Sequence, residues 1–312
     1  MDSRITKKRL NDFLAYEWLI IVAVAIAIIV AWELIFGVFS VKPTVGEQFK
    51  CLYDYELDSQ GASKLSEDLY ENEVFSPFVL EWGTERLEND AELINARLGT
   101  QDADVMFTSS VVDENGNNRV NDYIDHYLYP VYSYEELLAK AKEYLKSFAE
   151  SDGVDATDFN NLSAQKIEES FFARYKKDNR FRTDEDKAKG VLEEKARLQK
   201  LCLEVIDFEK ALKVGKERGI FYTYTRFEQL NRLEGGHDDW VAEEVKNQAF
   251  GLDMGKLTGG EQVPQAYAKL SGAVDSNGVV LIVFNFNEYQ YDLQFESISL
   301  INMIIRNCTD IL

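Results

Sequence analysis

VFSPFVLEWGTERLENDAELINARLGTQDADVMFTS, residues 74–109, is the stretch whose periodicity decides the fold class. Val74–Glu81 reads as an extended segment. From Glu85 to Leu98 the apolar residues Leu87, Leu93, Ile94 and Leu98 recur at helical spacing, and Gly99 supplies a stop. Asp104–Ser109 is a short apolar run of the kind that forms a buried strand. Strand, helix and strand in succession predict an α/β domain with a parallel sheet.

Downstream the same mixture continues. Tyr134–Phe148 predicts a helix, with Leu137, Leu138, Ala141, Tyr144, Leu145 and Phe148 on one side, and Ser151–Asn161 a loop. Thr183–Arg218 predicts a long charged helix closed by Gly219. Its stripe is Val191, Leu198, Leu201, Val205, Phe208 and Leu212. The run of about three heptads fits a helix packed on its own core better than a coiled coil. Ile220–Thr225 alternates aromatic and hydroxyl residues as a strand does, and Glu234–Asp239 reads as a surface loop. Gly278–Phe286 is a strand opened by the turn Asp275–Gly278, and Ser297–Asn307 is a closing helix.

Upstream, Leu19–Val41 reads LIIVAVAIAIIVAWELIFGVFSV. A helix of this length covers about 34 Å, enough to cross a bilayer core. Tyr16, Trp18 and Trp32 sit near its ends as interfacial aromatics do, and Arg4, Lys7, Lys8 and Arg9 precede it. The positive-inside rule places the N-terminus in the cytoplasm and the rest outside the cell. No small-residue cleavage site follows the run, and Cys51 follows Glu-Gln-Phe-Lys, which is no lipobox. The expected organisation is a cytoplasmic tail 1–17, an uncleaved anchor 18–41, a Pro/Gly linker 42–50 and an extracellular domain 51–312. Glu33 lies either at the outer interface beside Trp32 or against another membrane subunit.

The 312 residues hold 55 Asp+Glu against 34 Lys+Arg, a formal net charge of −21. The four basic residues of the tail offset Asp2, Asp12, Glu17 and Glu33, so the acidity belongs wholly to the part beyond Val41. Such a surface repels phosphates and argues against a nucleic-acid partner. Three Cys exclude a disulfide scaffold and a Cys-rich zinc module.

Several stretches resemble bacterial extracellular solute-binding proteins of the ABC-transporter type. Leu98–Ser110 (LGTQDADVMFTSS) is similar to their passage from a helix into a strand that ends at the cleft. Ala249–Leu257 (AFGLDMGKL) is similar to a late Tyr-Gly-Ile-Asp segment, and Leu300–Ile305 to their last helix. Val41–Phe49 (VKPTVGEQF) resembles the start of single-span anchored members. The resemblance implies a two-lobed α/β domain that captures a small solute or presents it to a membrane permease or envelope complex. The alternative is an accessory or structural subunit that keeps such a fold without a ligand.

The chemistry-bearing residues point away from catalysis. There is no G-x-S-x-G, no phosphate-binding glycine pattern, and the two histidines, His126 and His237, lie in Asp-His-Tyr and Gly-Gly-His-Asp contexts typical of surface residues. No catalytic set, metal site or cofactor is expected. Asp113–Asp125 resembles a calcium loop, with Asp113, Asn115, Asn117, Arg119 and Val120 at positions 1, 3, 5, 7 and 8. Asn118 replaces the turn glycine and Ile124 the final Glu, so a surface turn is the better reading. Cys202 and Cys308 read as small core residues. The candidate ligand residues are Trp82, Tyr222, Tyr224 and Trp240, with Thr108, Ser109 and Ser110 at a strand end, because an α/β sheet presents its strand ends to a crevice. If both strand ends meet at one crevice, Tyr224 or Trp82 should face Thr108–Ser110 across it.

Overall fold

The computed structural model describes residues 11, 13, 18–39, 43, 45–100, 102–125, 130–176, 178–225, 227–234, 237–244, 247–285 and 292–312. The chain divides into two units, Met1–Lys42 and Pro43–Leu312.

In the first unit, α1 (Trp18–Phe39) is 22 residues long. Its side chains are described from Trp18 to Leu34. All are exposed, and all but Glu33 are apolar. Those 17 residues cover about 25 Å, against about 30 Å of bilayer core. Among the described residues, no helix is long and apolar enough to cross a membrane.

The second unit is built on a mixed six-stranded sheet. Its strands are β1 (Gln48–Tyr53), β2 (Glu81–Arg86), β3 (Val105–Ser109), β4 (Phe221–Tyr224), β7 (Gln248–Asp253) and β8 (Val279–Val283). Their order is β2-β1-β3-β8-β7-β4. β1 pairs in parallel with β2 and β3, while β8 lies antiparallel between β3 and β7, and β4 antiparallel to β7. β5 (Phe227–Glu234) and β6 (His237–Glu244) form a separate hairpin, described by its backbone alone.

The centre of the sheet is apolar on both faces because helices cover both. Every residue of β3 and β8 is buried, the reading expected of a strand between two helical layers. Alternation sends Phe49, Cys51, Tyr53, Phe107 and Leu281 to one face. There they meet α2 (Gln60–Glu71), α5 (Tyr134–Ser147), α7 (Asp184–Arg218) and α8 (Glu296–Cys308). Leu52, Met106, Val280, Ile282 and Phe250 go to the other face. They pack with α3 (Ala91–Gly99) and α4 (Arg119–Ile124). A further helix, α6 (Ala164–Tyr175), adds an aromatic cluster in which Phe78, Phe171 and Tyr175 pack together.

α7 is fixed at both ends by residues its sequence announces. Thr183 and Asp186 form a capping box, and Gly219 ends the helix in the left-handed region at φ 69°. The stripe from Val191 to Leu212 is buried in the domain's own core, so it is not a coiled-coil seam.

Four expectations change. The domain is not two-lobed: residues 43–312 form one unit around one principal sheet. The stretch 42–50 is not all linker, since β1 opens at Gln48. The extended segment 74–81 and the helix from Glu85 become β2 at 81–86 and α3 from Ala91. β2 is an edge strand reading EWGTER, so it lacks the apolar alternation that would have marked it. The loop 234–239 is partly strand, because His237 opens β6; Gly235 and Gly236 lie outside the described residues.

Candidate functional site

β1 is followed by a crossover to β2 on one side and then by a return to β3 on its other side. That reversal makes a switch point at the C-terminal ends of β1 and β3, the place where an open α/β sheet offers a ligand site. Asp54 and Tyr55 leave the end of β1, Thr108–Ser110 end β3, and Arg119 opens α4. Asn118 caps that helix, its side chain accepting from the Val120 and Asn121 backbone N–H groups.

Asp54 is fully buried, and its carboxylate is held by three donors. Arg119 Nε donates to Oδ2 at 2.7 Å and Nη2 to Oδ1 at 2.9 Å, a bidentate fork. Thr108 Oγ1 donates to Oδ2 at 2.8 Å. The Arg119 guanidinium lies 4.4 Å from the Tyr55 ring centroid and donates to the Tyr55 and Tyr123 hydroxyls at 3.2 and 3.0 Å. Burial disfavours the charge of Arg119, but Asp54 together with the Tyr123 and Tyr55 hydroxyls outweighs burial and raises its pKa, so it stays a cation. Arg86, at the end of β2, donates to the Tyr55 carbonyl.

A second set of polar groups lies beside the first. The Asn118 amide donates to the Ser110 carbonyl at 3.0 Å and to the Tyr222 hydroxyl at 3.2 Å. Tyr222 in turn donates to Asn121 Oδ1 at 2.7 Å, and Tyr224 to Asp125 Oδ2 at 2.6 Å. The Tyr222 pKa is raised, chiefly by burial. That of Tyr224 is pushed up to about 12, chiefly by its bond to Asp125.

The expected ligand residues are therefore only partly brought together. Ser110 and Tyr222 meet through Asn118. Thr108 and Ser109 are fully buried: Thr108 serves Asp54, and Ser109 Oγ accepts from the Val111 N–H at 3.2 Å. Trp82 is elsewhere. It sits on β2, at the opposite edge of the sheet from β4, and packs on the other face against Phe75 with ring centroids 6.0 Å apart. β2 and β4 lie at opposite edges of the sheet, five strand spacings apart, so Trp82 and Tyr224 do not flank one site together. Trp240 pairs with Asn231 in the hairpin, and its side chain lies outside the described residues, as do His126 and the side chain of His237.

The calcium-like loop is closed on itself. Asp113 accepts from the backbone N–H groups of Asn115 and Asn117, both at 2.8 Å, and from the Asn117 amide at 3.1 Å. Arg119, at the seventh position, turns inward to Asp54. Among the described residues no group of three or more His, Cys, Asp or Glu is placed to hold a metal ion. All three cysteines are free and buried, and burial pushes the Cys202 and Cys308 thiols up to about 12.

Asp54 and Tyr55 escaped the sequence reading. They directly follow the apolar run of β1, and a charged residue at the end of a buried strand is the signal that would have found them. Comparison with protein-family models, curated proteins and solved structures finds no match for the chain.

Proposed function

We propose that this chain is a single-pass anchored protein whose acidic α/β domain acts outside the cell as a non-catalytic accessory or structural subunit of a membrane or envelope assembly. One observation carries the reading: every described side chain of α1 is exposed although all but Glu33 are apolar. So long an apolar surface calls for lipid or protein cover. The helical backbone continues to Phe39, and 22 residues cover about 33 Å, more than the described side chains alone. The basic residues Arg4, Lys7, Lys8 and Arg9 put the tail on the cytoplasmic side. The accessory role rests on the separation of Trp82 from Tyr222 and Tyr224 and on the internal bonding of both tyrosine hydroxyls. Protease added to intact cells should digest residues 43–312 and spare the tail. Full protection of the domain overturns the topology, and a mature N-terminus near residue 40 overturns the anchor.

A second reading, solute capture, is favoured by the position of Arg119, Tyr55 and Ser110 at the switch point. Sugars, amino acids, peptides and metal ions screened by thermal unfolding separate the two. A ligand raises the melting temperature by mass action, whereas an accessory subunit shows no shift.

A further inference from the structure

α7 carries a second apolar stripe, on the side away from the core. Leu192, Leu203 and Ile206 are 66%, 61% and 45% exposed, and Ala196 and Gln199 between them are exposed as well. The spacings 192, 196, 199, 203 and 206 alternate four and three, the seam of a two-helix coiled coil. Beyond the seam the same face becomes charged, with Glu185 and Lys189 at one end and Lys210 and Lys213 at the other, all exposed. Lys189 pairs with Glu193 of its own helix at 3.6 Å, and no intramolecular ion pair is seen for Glu185, Lys210 or Lys213 among the described residues.

The outer positions of the pattern are self-complementary about Gln199. Leu192 and Ile206 lie seven residues either side of it, and Glu185 and Lys213 fourteen either side. We propose that this face is an interface with a second copy of the chain, the two α7 helices running antiparallel with a two-fold axis at Gln199. Each Leu192 then packs on Ile206 of the other copy, each Glu185 meets Lys213, and the two Gln199 amides meet on the axis. A parallel pair would set each of Glu185, Lys189, Lys210 and Lys213 against its own like charge, whereas the antiparallel pair sets Glu185 against Lys213 and leaves only Lys189 near Lys210, so charge favours the antiparallel arrangement. An interface of this kind is isologous and closes at two copies. The net charge of −21 opposes association at long range, but salt screens it beyond about 8 Å, whereas Glu185 and Lys213 attract at contact distance. A single helix pair is smaller than a standard interface of about 1,600 Å², so the dimer is weak in dilute solution and is favoured where copies are concentrated. The inference is independent of the anchor.

Cross-linking of the full-length chain in intact cells tests it. Cys51, Cys202 and Cys308 are buried, so an introduced surface thiol reports alone. Gln199→Cys with a short bismaleimide should give a dimer. Leu192→Cys should link to a co-expressed Ile206→Cys chain but not to itself, since its two copies would lie about 21 Å apart. Adding Leu203→Glu to Gln199→Cys should cut the dimer at least about tenfold, equivalent to about 1.4 kcal/mol, with the melting temperature unchanged. The proposal is overturned if Gln199→Cys yields no dimer or only adducts with another protein. Self-linking of Leu192→Cys, or indifference to Leu203→Glu, overturns it as well.

Discussion

Arg119 shows how one side chain can hold a buried charge in place. Its fork to Asp54 neutralises a carboxylate that has no exposure. Arg119→Met removes that partner and should cost about 3 kcal/mol in urea unfolding, because a buried charge is left uncompensated. The double variant Asp54→Asn with Arg119→Met should recover part of the loss. A loss in the single variant below about 1 kcal/mol would mean that water already reaches Asp54. Glu296 is the opposite case. It is buried at the start of α8, and burial raises its pKa, only partly offset by the nearby Arg197, Ser76 and Lys200. The folded state therefore keeps the Glu296 proton to a higher pH than the unfolded chain, and stability falls as pH rises from the ordinary carboxylate range through the raised value. Glu296→Gln should raise the melting temperature at pH 7 and make little difference near pH 4. A variant less stable than the natural chain at pH 7 would contradict this.

At the scale of elements, α7 owes its close packing to a residue that weakens helices. Gly190 costs about 1 kcal/mol of helix propensity relative to Ala. A Cβ there would stand 2.3 Å from Phe171 Cζ and 2.7 Å from a Phe181 ring carbon. Phe171 is fully buried against Phe78 and Tyr175 and has no room to yield. Gly190→Ala should therefore destabilise the domain by about 1 kcal/mol, in spite of its better propensity. An increase in melting temperature would show that the aromatic cluster relaxes. The elements were also the most legible feature of the sequence. Thr183, Gly219 and the apolar runs of β3 and β8 announce themselves locally, and each element stands where it was expected. β2 did not, because an edge strand needs only one apolar side, and Trp82 alone supplies it. The site was less legible still. Asp54 and Arg119 are 65 positions apart, and nothing local in either segment names the other.

For the whole molecule, the expectation of two lobes failed because strand order is a long-range property. A run such as VVLIV states that it is buried but not between which neighbours. The buried apolar residues of the described chain lie between Phe49 and Ile311, within the second unit. Deletion of residues 1–42 should leave a domain whose melting temperature moves by less than about 4 °C, the shift that about 1 kcal/mol produces at this size. A larger drop in calorimetry would place part of the stability in the N-terminal segment.

The antiparallel insertion of β8 sets the order in which the domain is completed. β2-β1-β3 and β7-β4 are two half-sheets, and only β8 joins them. β3 ends at Ser109 and its partner begins at Val279, so a ribosome makes about 170 residues after β3 before that neighbour exists. At synthesis rates of about 5–20 residues per second, the inner edge of β3 stays open for about 10–30 s. The loop that must close is long, and such non-local pairing is slow. Pairing of β3 with β8 thus comes late, long after β3 has been made. Until then the unpaired edges of β3 and β7 are the places where a nascent chain would meet a chaperone or a neighbouring chain.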